Sequence, residues 1–284
     1  MTKKKLELID LHVHGIGKLD TSTSHVDDII EIAMTEKSNG ISGLVLSIYP
    51  DEIGVMRSQL EVISKAMGAL REDCADIIGV HLEGPFLNPL RAGALNKAHF
   101  LVPSISSLRS IIDGYEDIIR IVTIAPELRK ASDVIRFCRD RGIKVNMGHS
   151  DATYREALRG KNAGATGITH IFNAMRPMHH REPGLAGFGL LDDDTYVEII
   201  ADGVHLDLNT LKLIFSVKPS NRLIIISDAV KGRRSAKKAV YLKDGTIAGS
   251  CITLSESIDL LIKNGFDPET VRMAASANPL RYIN

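Results

Sequence analysis

Short apolar, β-branched runs alternate with longer amphipathic stretches along nearly the whole chain. Eight of the runs have strand length: Leu6–Val13, Ser42–Ile48, Ile77–Leu82, Ile118–Ile124, Ile143–Met147, Gly167–Ile171, Tyr196–Ala201 and Leu223–Ser227. Their apolar residues are nearly continuous rather than alternating, which marks strands covered on both faces in a parallel sheet. Between them, Val26–Ser38, Met56–Leu70, Ala131–Arg141, Tyr154–Asn162 and Leu208–Val217 carry helical patterns. Eight such strands separated by helices predict an α/β chain closed into a (β/α)8 TIM-type barrel rather than left as an open sheet. Beyond the eighth strand, residues 239–250 predict a β-hairpin turning at Asp244-Gly245. Two further helices are predicted at Leu254–Lys263 and Pro268–Ala275. The glycine-rich segments Gly184-Leu-Ala-Gly187-Phe-Gly189 and Gly84-Pro85 read as turns.

Length agrees with this pattern, because 284 residues suit one barrel, so 1–284 is taken as a single domain. Lys+Arg and Asp+Glu both number 35, and this zero formal charge argues against nucleic acid or an anionic membrane surface as a partner. No run of 18 apolar residues suggests a membrane span, and the basic residues at the start precede no apolar stretch of signal type. Cys74, Cys138 and Cys251 are odd in number and form no Cys-x-x-Cys pair. They predict reduced thiols in a cytoplasmic protein, without thiolate metal sites.

The chemistry-bearing residues fall at or just past the carboxyl ends of the predicted strands. His12 and His14 close the first strand and Glu83 the third. His149 follows the fifth, His170 ends the sixth, His205 follows the seventh and Asp228 ends the eighth. In a barrel these ends converge on one face, so residues distant in sequence become neighbours. His-x-His on a strand directs both imidazoles to one side, because side chains alternate with period two. Imidazoles with a carboxylate form a ligand set for zinc or a similar divalent transition metal. His25, His99, His179 and His180 lack this placement and are read as surface or loop residues. His81 lies inside the third strand and is read as support for a ligand rather than a ligand itself. No nucleotide-binding fingerprint is present.

Seven motifs occur in order: Asp10-Leu-His-Val-His-Gly15, His81-Leu-Glu-Gly-Pro-Phe86, Gly148-His-Ser-Asp151, Thr169-His-Ile-Phe-Asn-Ala-Met175, Arg181-Glu-Pro-Gly-Leu-Ala-Gly187, Ala201-Asp-Gly-Val-His205 and Ser227-Asp-Ala229. Together they resemble the N-acetylglucosamine-6-phosphate deacetylase family of the amidohydrolase superfamily, over nearly the whole chain. The resemblance implies one or two divalent metal ions, zinc above all. Glu83, His149 and His170 would hold the first, and His12 and His14, alongside Glu83, the second. It implies Asp228 as general base and then acid in deacetylation of N-acetylglucosamine 6-phosphate or a close N-acetyl amino-sugar phosphate. It implies substrate contacts from Ala94, Leu95, Asn173, Ala174, Arg181, from Asp202, Gly203, Val204 and His205, and from Ile247, Ala248 and Gly249. A phosphate-binding role suits the planar fork of Arg181.

The sequence departs from the family in three places. Family members carry segments ahead of the His-x-His strand and past Asn278-Pro279 that pair into a small β domain, most of which is missing here. The barrel is therefore expected to stand alone or lean on a partner, as a homodimer with Arg91–Ala94 or Lys231–Lys238 near the interface. The segment Lys231-Gly-Arg-Arg-Ser-Ala-Lys-Lys238 is more basic than the family pattern. Finally, Leu95 stands where the family places a hydrogen-bonding residue that helps polarise the acyl carbonyl. Losing such a donor costs about 10²–10³ in rate. Two alternatives follow: an amidohydrolase acting on a different N-acyl substrate, and a catalytically weak sugar-phosphate-binding relative.

Overall fold

The computed structural model describes residues 7–232 and 238–284. Leu6 and most of the basic Lys231–Lys238 segment lie outside the described residues. Eight parallel strands form one sheet in sequence order. They are β1 (Leu8–Val13), β2 (Ile41–Ile48), β3 (Asp76–Leu82), β4 (Ile119–Ile124), β5 (Lys144–Met147), β6 (Gly167–Ile168), β7 (Tyr196–Ile200) and β8 (Leu223–Ile226). Each predicted strand is present at close to its predicted place. β6 is shorter than expected because the chain turns into left-handed backbone at His170, with φ of 28°. Around the sheet lie α1 (Val26–Ser38), α2 (Ile53–Met67), α3 (Ile105–Ile112), α4 (Ala131–Arg139), α5 (Tyr154–Ala163), α6 (Gly184–Leu191) and α7 (Leu208–Val217). The hairpin follows as strands Ala239–Tyr241 and Ile247–Ser250, and then α8 (Leu254–Lys263), α9 (Pro268–Ala274) and α10 (Ala277–Ile283).

The last strand returns to the first at the barrel mouth. The Asp228 amide donates to the His12 carbonyl at 3.0 Å and the His14 amide to Ala229 at 2.8 Å. The Asp10 carboxylate receives the Ser227 amide at 3.2 Å, a side-chain bond standing in for a ladder rung. Burial pushes Asp10 up to about 6, against these hydrogen bonds to its ionised form.

The glycine-rich segment from Gly184 corrects the sequence expectation. It is not a turn but α6, buried from Gly184 to Leu190. Glycine disfavours helix locally, yet here it permits close packing. A Cβ at Gly189 would lie 2.5 Å from the Ile168 side chain on β6. Gly84-Pro85 is a turn, with a cis peptide leaving β3. α3 and α10, which the sequence reading did not anticipate, are each about two turns long, too short for a clear period.

Two apolar layers flank the strands. The larger lies between strands and helices. The smaller fills the barrel interior with Ile9, Leu11, Val45, Ile121, Ile200, Ile224 and Ile226, together with Tyr282 from α10. A register shift between Asp10 and Val13 interrupts the alternation along β1. It allows Leu11 to face the inner layer while His12 and His14 both reach the interior of the mouth.

Glu36 on α1 is 2% exposed, and burial together with the Asp10 charge pushes its carboxyl up to about 8. The unfolded chain loses this proton near 4.5 and the native fold only near 8. Its contribution to stability is therefore full below about pH 4.5 and is lost as pH rises through 8. Glu36→Gln should flatten the decline in melting temperature across that window, as read by calorimetry. An unchanged slope in the variant would show that this carboxyl does not titrate as described.

Candidate metal centre and substrate cavity

Glu83, directly after β3, is the hub of the mouth. Its Oε1 lies 2.9 Å from His170 Nε2, 3.1 Å from His149 Nε2 and 3.5 Å from His12 Nε2. Its Oε2 lies 3.1 Å from His14 Nε2. Asp228 Oδ1 stands 3.5 Å from His12 Nε2 and 3.8 Å from His14 Nε2. Glu83, His149 and His170 thus form one set of converging ligand atoms, and His12, His14 and Asp228 a second. His149, His170 and Asp228 have positive φ, at 46°, 28° and 49°. Left-handed backbone at such residues costs about 1–3 kcal/mol each and is tolerated where surrounding structure enforces it. Here it swings each side chain over the mouth just past its strand.

These residues suit a bound cation. His149 Nδ1 lies 3.0 Å from the Arg91 carbonyl, to which it can only donate. That leaves its Nε2 as the ring nitrogen aimed at Glu83 Oε1. A ring nitrogen and a carboxylate oxygen turned to one another can share a cation between them, and imidazole–carboxylate sets of this kind bind zinc. Although burial opposes charge on His12, the Asp228 and Glu83 carboxylates raise its imidazole to about 10. Burial likewise opposes ionisation of Glu83, and the four imidazoles still hold it well below the carboxylate range. The mouth therefore stabilises positive charge.

Neighbouring elements brace this arrangement. Asp151 takes Arg91 Nη2 at 2.7 Å and Arg176 Nη2 at 2.6 Å. Glu127 accepts from Ser150 Oγ at 2.7 Å, the Asp151 amide at 2.6 Å and Asn88 Nδ2 at 2.9 Å. The Asn88–Leu95 loop is thereby strapped to the turn after β5, which places the Arg91 carbonyl on His149. His81 has the supporting position expected of it. Its Nε2 meets Thr123 Oγ1 at 2.7 Å, its ring packs edge-on to His12, and burial holds it below its ordinary pKa.

A cavity of about 250 Å³ opens over the two candidate ligand sets. Of the residues singled out from sequence, His14, Glu83, Ala94, Leu95, His149, His170, Asn173, Ala174, His205, Asp228, Ile247 and Ala248 line it. His12 lies behind it, fully buried. Asp202 is buried beneath His205, accepting from its Nδ1 at 2.7 Å and from the Val204 and His205 amides at 2.8 and 2.9 Å. This leaves His205 Nε2 as the free ring nitrogen. Gly203 and Val204 form the turn itself, and Gly249 is buried behind the hairpin wall. Arg181 is exposed on a loop outside the lining, its amide on the His179 ring. His25, His179 and His180 are exposed, and His99 pairs with Asp51 at 3.0 Å. The sequence reading missed Tyr49, whose ring stacks on His14 at 3.9 Å and 6°. Its place one residue past β2, at a strand end like the others, was the available signal. Gly93 and Thr246 also line the cavity, and no signal in the sequence marks them.

Residues 8–284 match the model of the amidohydrolase family. The N-acetylglucosamine-6-phosphate deacetylase of Bacillus subtilis is 33% identical over 267 residues, covering 88% of this chain and 67% of the relative. The N-acetylgalactosamine-6-phosphate deacetylase of Escherichia coli O157:H7 is 29% identical, covering 97% of this chain and 76% of the relative. Among solved structures, the N-acetyl-D-glucosamine-6-phosphate deacetylase of Mycobacterium smegmatis superposes with a TM-score of 0.90 at 30% identity, covering 98% of this chain and 78% of that one. With its eight-stranded barrel and converging ligand sets, this chain belongs to the amidohydrolase family and, within it, to the family of the N-acetylglucosamine-6-phosphate deacetylases.

Proposed function

We propose that this chain hydrolyses the acetamide of N-acetylglucosamine 6-phosphate or a close N-acetyl amino-sugar phosphate. The observation that carries the reading is the convergence of Glu83, four imidazoles and Asp228 at the floor of one cavity. A divalent transition metal, zinc first, held by Glu83, His149 and His170, with a second position at His12 and His14, would polarise the acyl carbonyl and lower the pKa of water toward neutrality. Asp228 takes the proton of the attacking water as general base. The same carboxyl then returns it to the departing amine nitrogen. Positive φ at Asp228 fixes that carboxylate over the cavity while its amide closes the barrel on His12. His205, held by Asp202, offers one defined ring nitrogen to a sugar hydroxyl or the acyl oxygen.

The phosphate end fits the side of the cavity formed by Asn173 and Ala174. Arg181 would close over the phosphate from its exposed loop. Ile247 and Ala248 supply an apolar wall from the hairpin. We read residues 1–284 as one catalytic unit, working in the cytoplasm. Cys74, Cys138 and Cys251 are free, and no helix among the described residues is long and apolar enough to cross a membrane.

One observation favours a second reading. Leu95 lines the cavity and brings only methyl groups to it, which suits an acyl group larger than acetyl. A panel of N-acyl glucosamines and galactosamines, with and without the 6-phosphate, decides between the two. The expected result is fastest amine release from an N-acetyl 6-phosphate, lost on chelation and in Glu83→Gln/His149→Ala, which should also lose its metal by elemental analysis. Preference for a longer acyl chain would establish the second reading. No hydrolysis with metal bound would leave a sugar-phosphate-binding protein instead.

Asp228→Asn should keep substrate binding and lower turnover by about 10²–10⁴, the usual contribution of a general acid–base group. Single-turnover and equilibrium-binding measurements separate the two quantities. A variant retaining more than about a tenth of turnover would remove Asp228 from the proton path.

A homodimer belongs to the same reading. Leu90, beside the Arg91–Ala94 segment, is 78% exposed, and Val102 beyond it is 73% exposed. Apolar surface at this rim suits a two-fold partner. Sedimentation at micromolar concentration should find a dimer, and a fully active monomer would dispose of the idea.

A further inference from the structure

Inside the barrel, beneath the mouth, stands a polar column that the hydrolysis described above does not use. Glu198 on β7 is 1% exposed, in an otherwise apolar strand. Its Oε1 accepts Asn146 Nδ2 at 2.8 Å. Asn146 Oδ1 in turn accepts the hydroxyl of Tyr282, which α10 inserts into the interior, and Thr166 Oγ1 lies 3.3 Å from the same hydroxyl. The other carboxylate oxygen, Oε2, has no hydrogen-bond partner, and neither has Nδ1 of His12. These two orphaned buried atoms face each other across 3.6 Å.

A buried acceptor and a buried potential donor left unpaired are both destabilising, so their mutual orientation calls for a reason. A shift of about half an ångström brings them within hydrogen-bond range. No competing partner intervenes among the described residues: His81, the ring packed against His12, commits its nitrogens to Thr123 and Ser47. Nor is Glu198 placed to join the ligand sets, because it approaches Nδ1 while Nε2 is the atom turned toward Glu83 and Asp228.

We propose that Glu198 is a positioning residue that holds a proton on Nδ1 of His12 and so presents the Nε2 lone pair to the metal. Asn146 and Tyr282 brace it from the closed end of the barrel. The inference rests on the metal-centre reading above. Its physical basis is that an imidazole ligates through one nitrogen only when the other carries the proton, and a carboxylate facing that other nitrogen enforces the arrangement. His149 has the same provision from the Arg91 carbonyl at 3.0 Å. The two ligand sets would thus be tuned differently, one by a neutral carbonyl and one by an anion.

Glu198→Gln tests this with little change of shape. Asn146 Nδ2 requires the amide oxygen, so the amide N–H₂ turns toward His12 Nδ1, donor against donor. Titration of metal-free protein with Zn²⁺ alone should show binding that involves His12 weakened about 10–100-fold, the usual cost of losing such a partner. The metal-free melting temperature should stay close to wild type, which a merely structural role would not predict. As an independent measurement, ¹⁵N-histidine spectra of the zinc-loaded wild type should show a slowly exchanging Nδ1–H on His12. Equal zinc affinity in wild type and variant, or absence of that Nδ1–H from the wild type, overturns the proposal. A wild type that takes up no metal at all overturns the metal-centre reading instead.

Discussion

One carboxylate organises the mouth of this barrel. Glu83 Oε1 and Oε2 are approached within 3.5 Å by ring nitrogens from four histidines carried on or after β1, β5 and β6. A buried anion is tolerated only when paired and hydrogen-bonded. The strand ends that carry those imidazoles are therefore tied electrostatically as well as by the sheet. Asp228 adds a second negative group on the far side of His12 and His14. Two carboxylates and four imidazoles converging in so small a space form ligand sets of the kind that hold a divalent cation.

The left-handed backbone at the mouth is held in place by its neighbours. Positive φ at His149, His170 and Asp228 would revert if the surrounding hydrogen bonds allowed it. The Asp10 carboxylate and the His12–Asp228 backbone bond close β8 on β1 beside the site. The Arg91–Asp151–Arg176 cluster and Glu127 lock the loop after β3 against the turn after β5. Stability is thus spent near the mouth, while the apolar interior below it and the helix-facing layer outside supply the burial that sustains it.

The column from His12 through Glu198 and Asn146 to Tyr282 links this mouth to the opposite end of the barrel. Its members come from β1, β7, β5 and α10. Two of them stand out in their own segments: one charge in Tyr-Val-Glu-Ile-Ile and one amide in Lys-Val-Asn-Met. A single polar residue in a buried strand is a legible anomaly, but nothing local says which partner it meets.

Much of the architecture was legible in the sequence because it depends on short-range regularities. Continuous apolar runs and 3.6-residue spacing determined the strands and most helices, and the barrel's geometry gathers strand ends on one face. His12, His14, Glu83, His149, His170 and Asp228 are therefore grouped by the sequence pattern alone. Other features depend on contacts between distant segments. The glycines of α6 are matched to its packing, since β6 leaves no room for a Cβ at Gly189, a fact about packing rather than propensity. The bulge that turns His12 inward, the stacking of Tyr49 on His14 and the seating of Asp202 beneath His205 are likewise tertiary. So is the exposed place of Arg181. The sequence by itself determined which histidines and carboxylates meet and on which face of the barrel. Only the tertiary structure decided their distances and braces, because those are set by atoms that the chain brings together from distant segments, as with Glu83 and His170 or Tyr282 and Asn146.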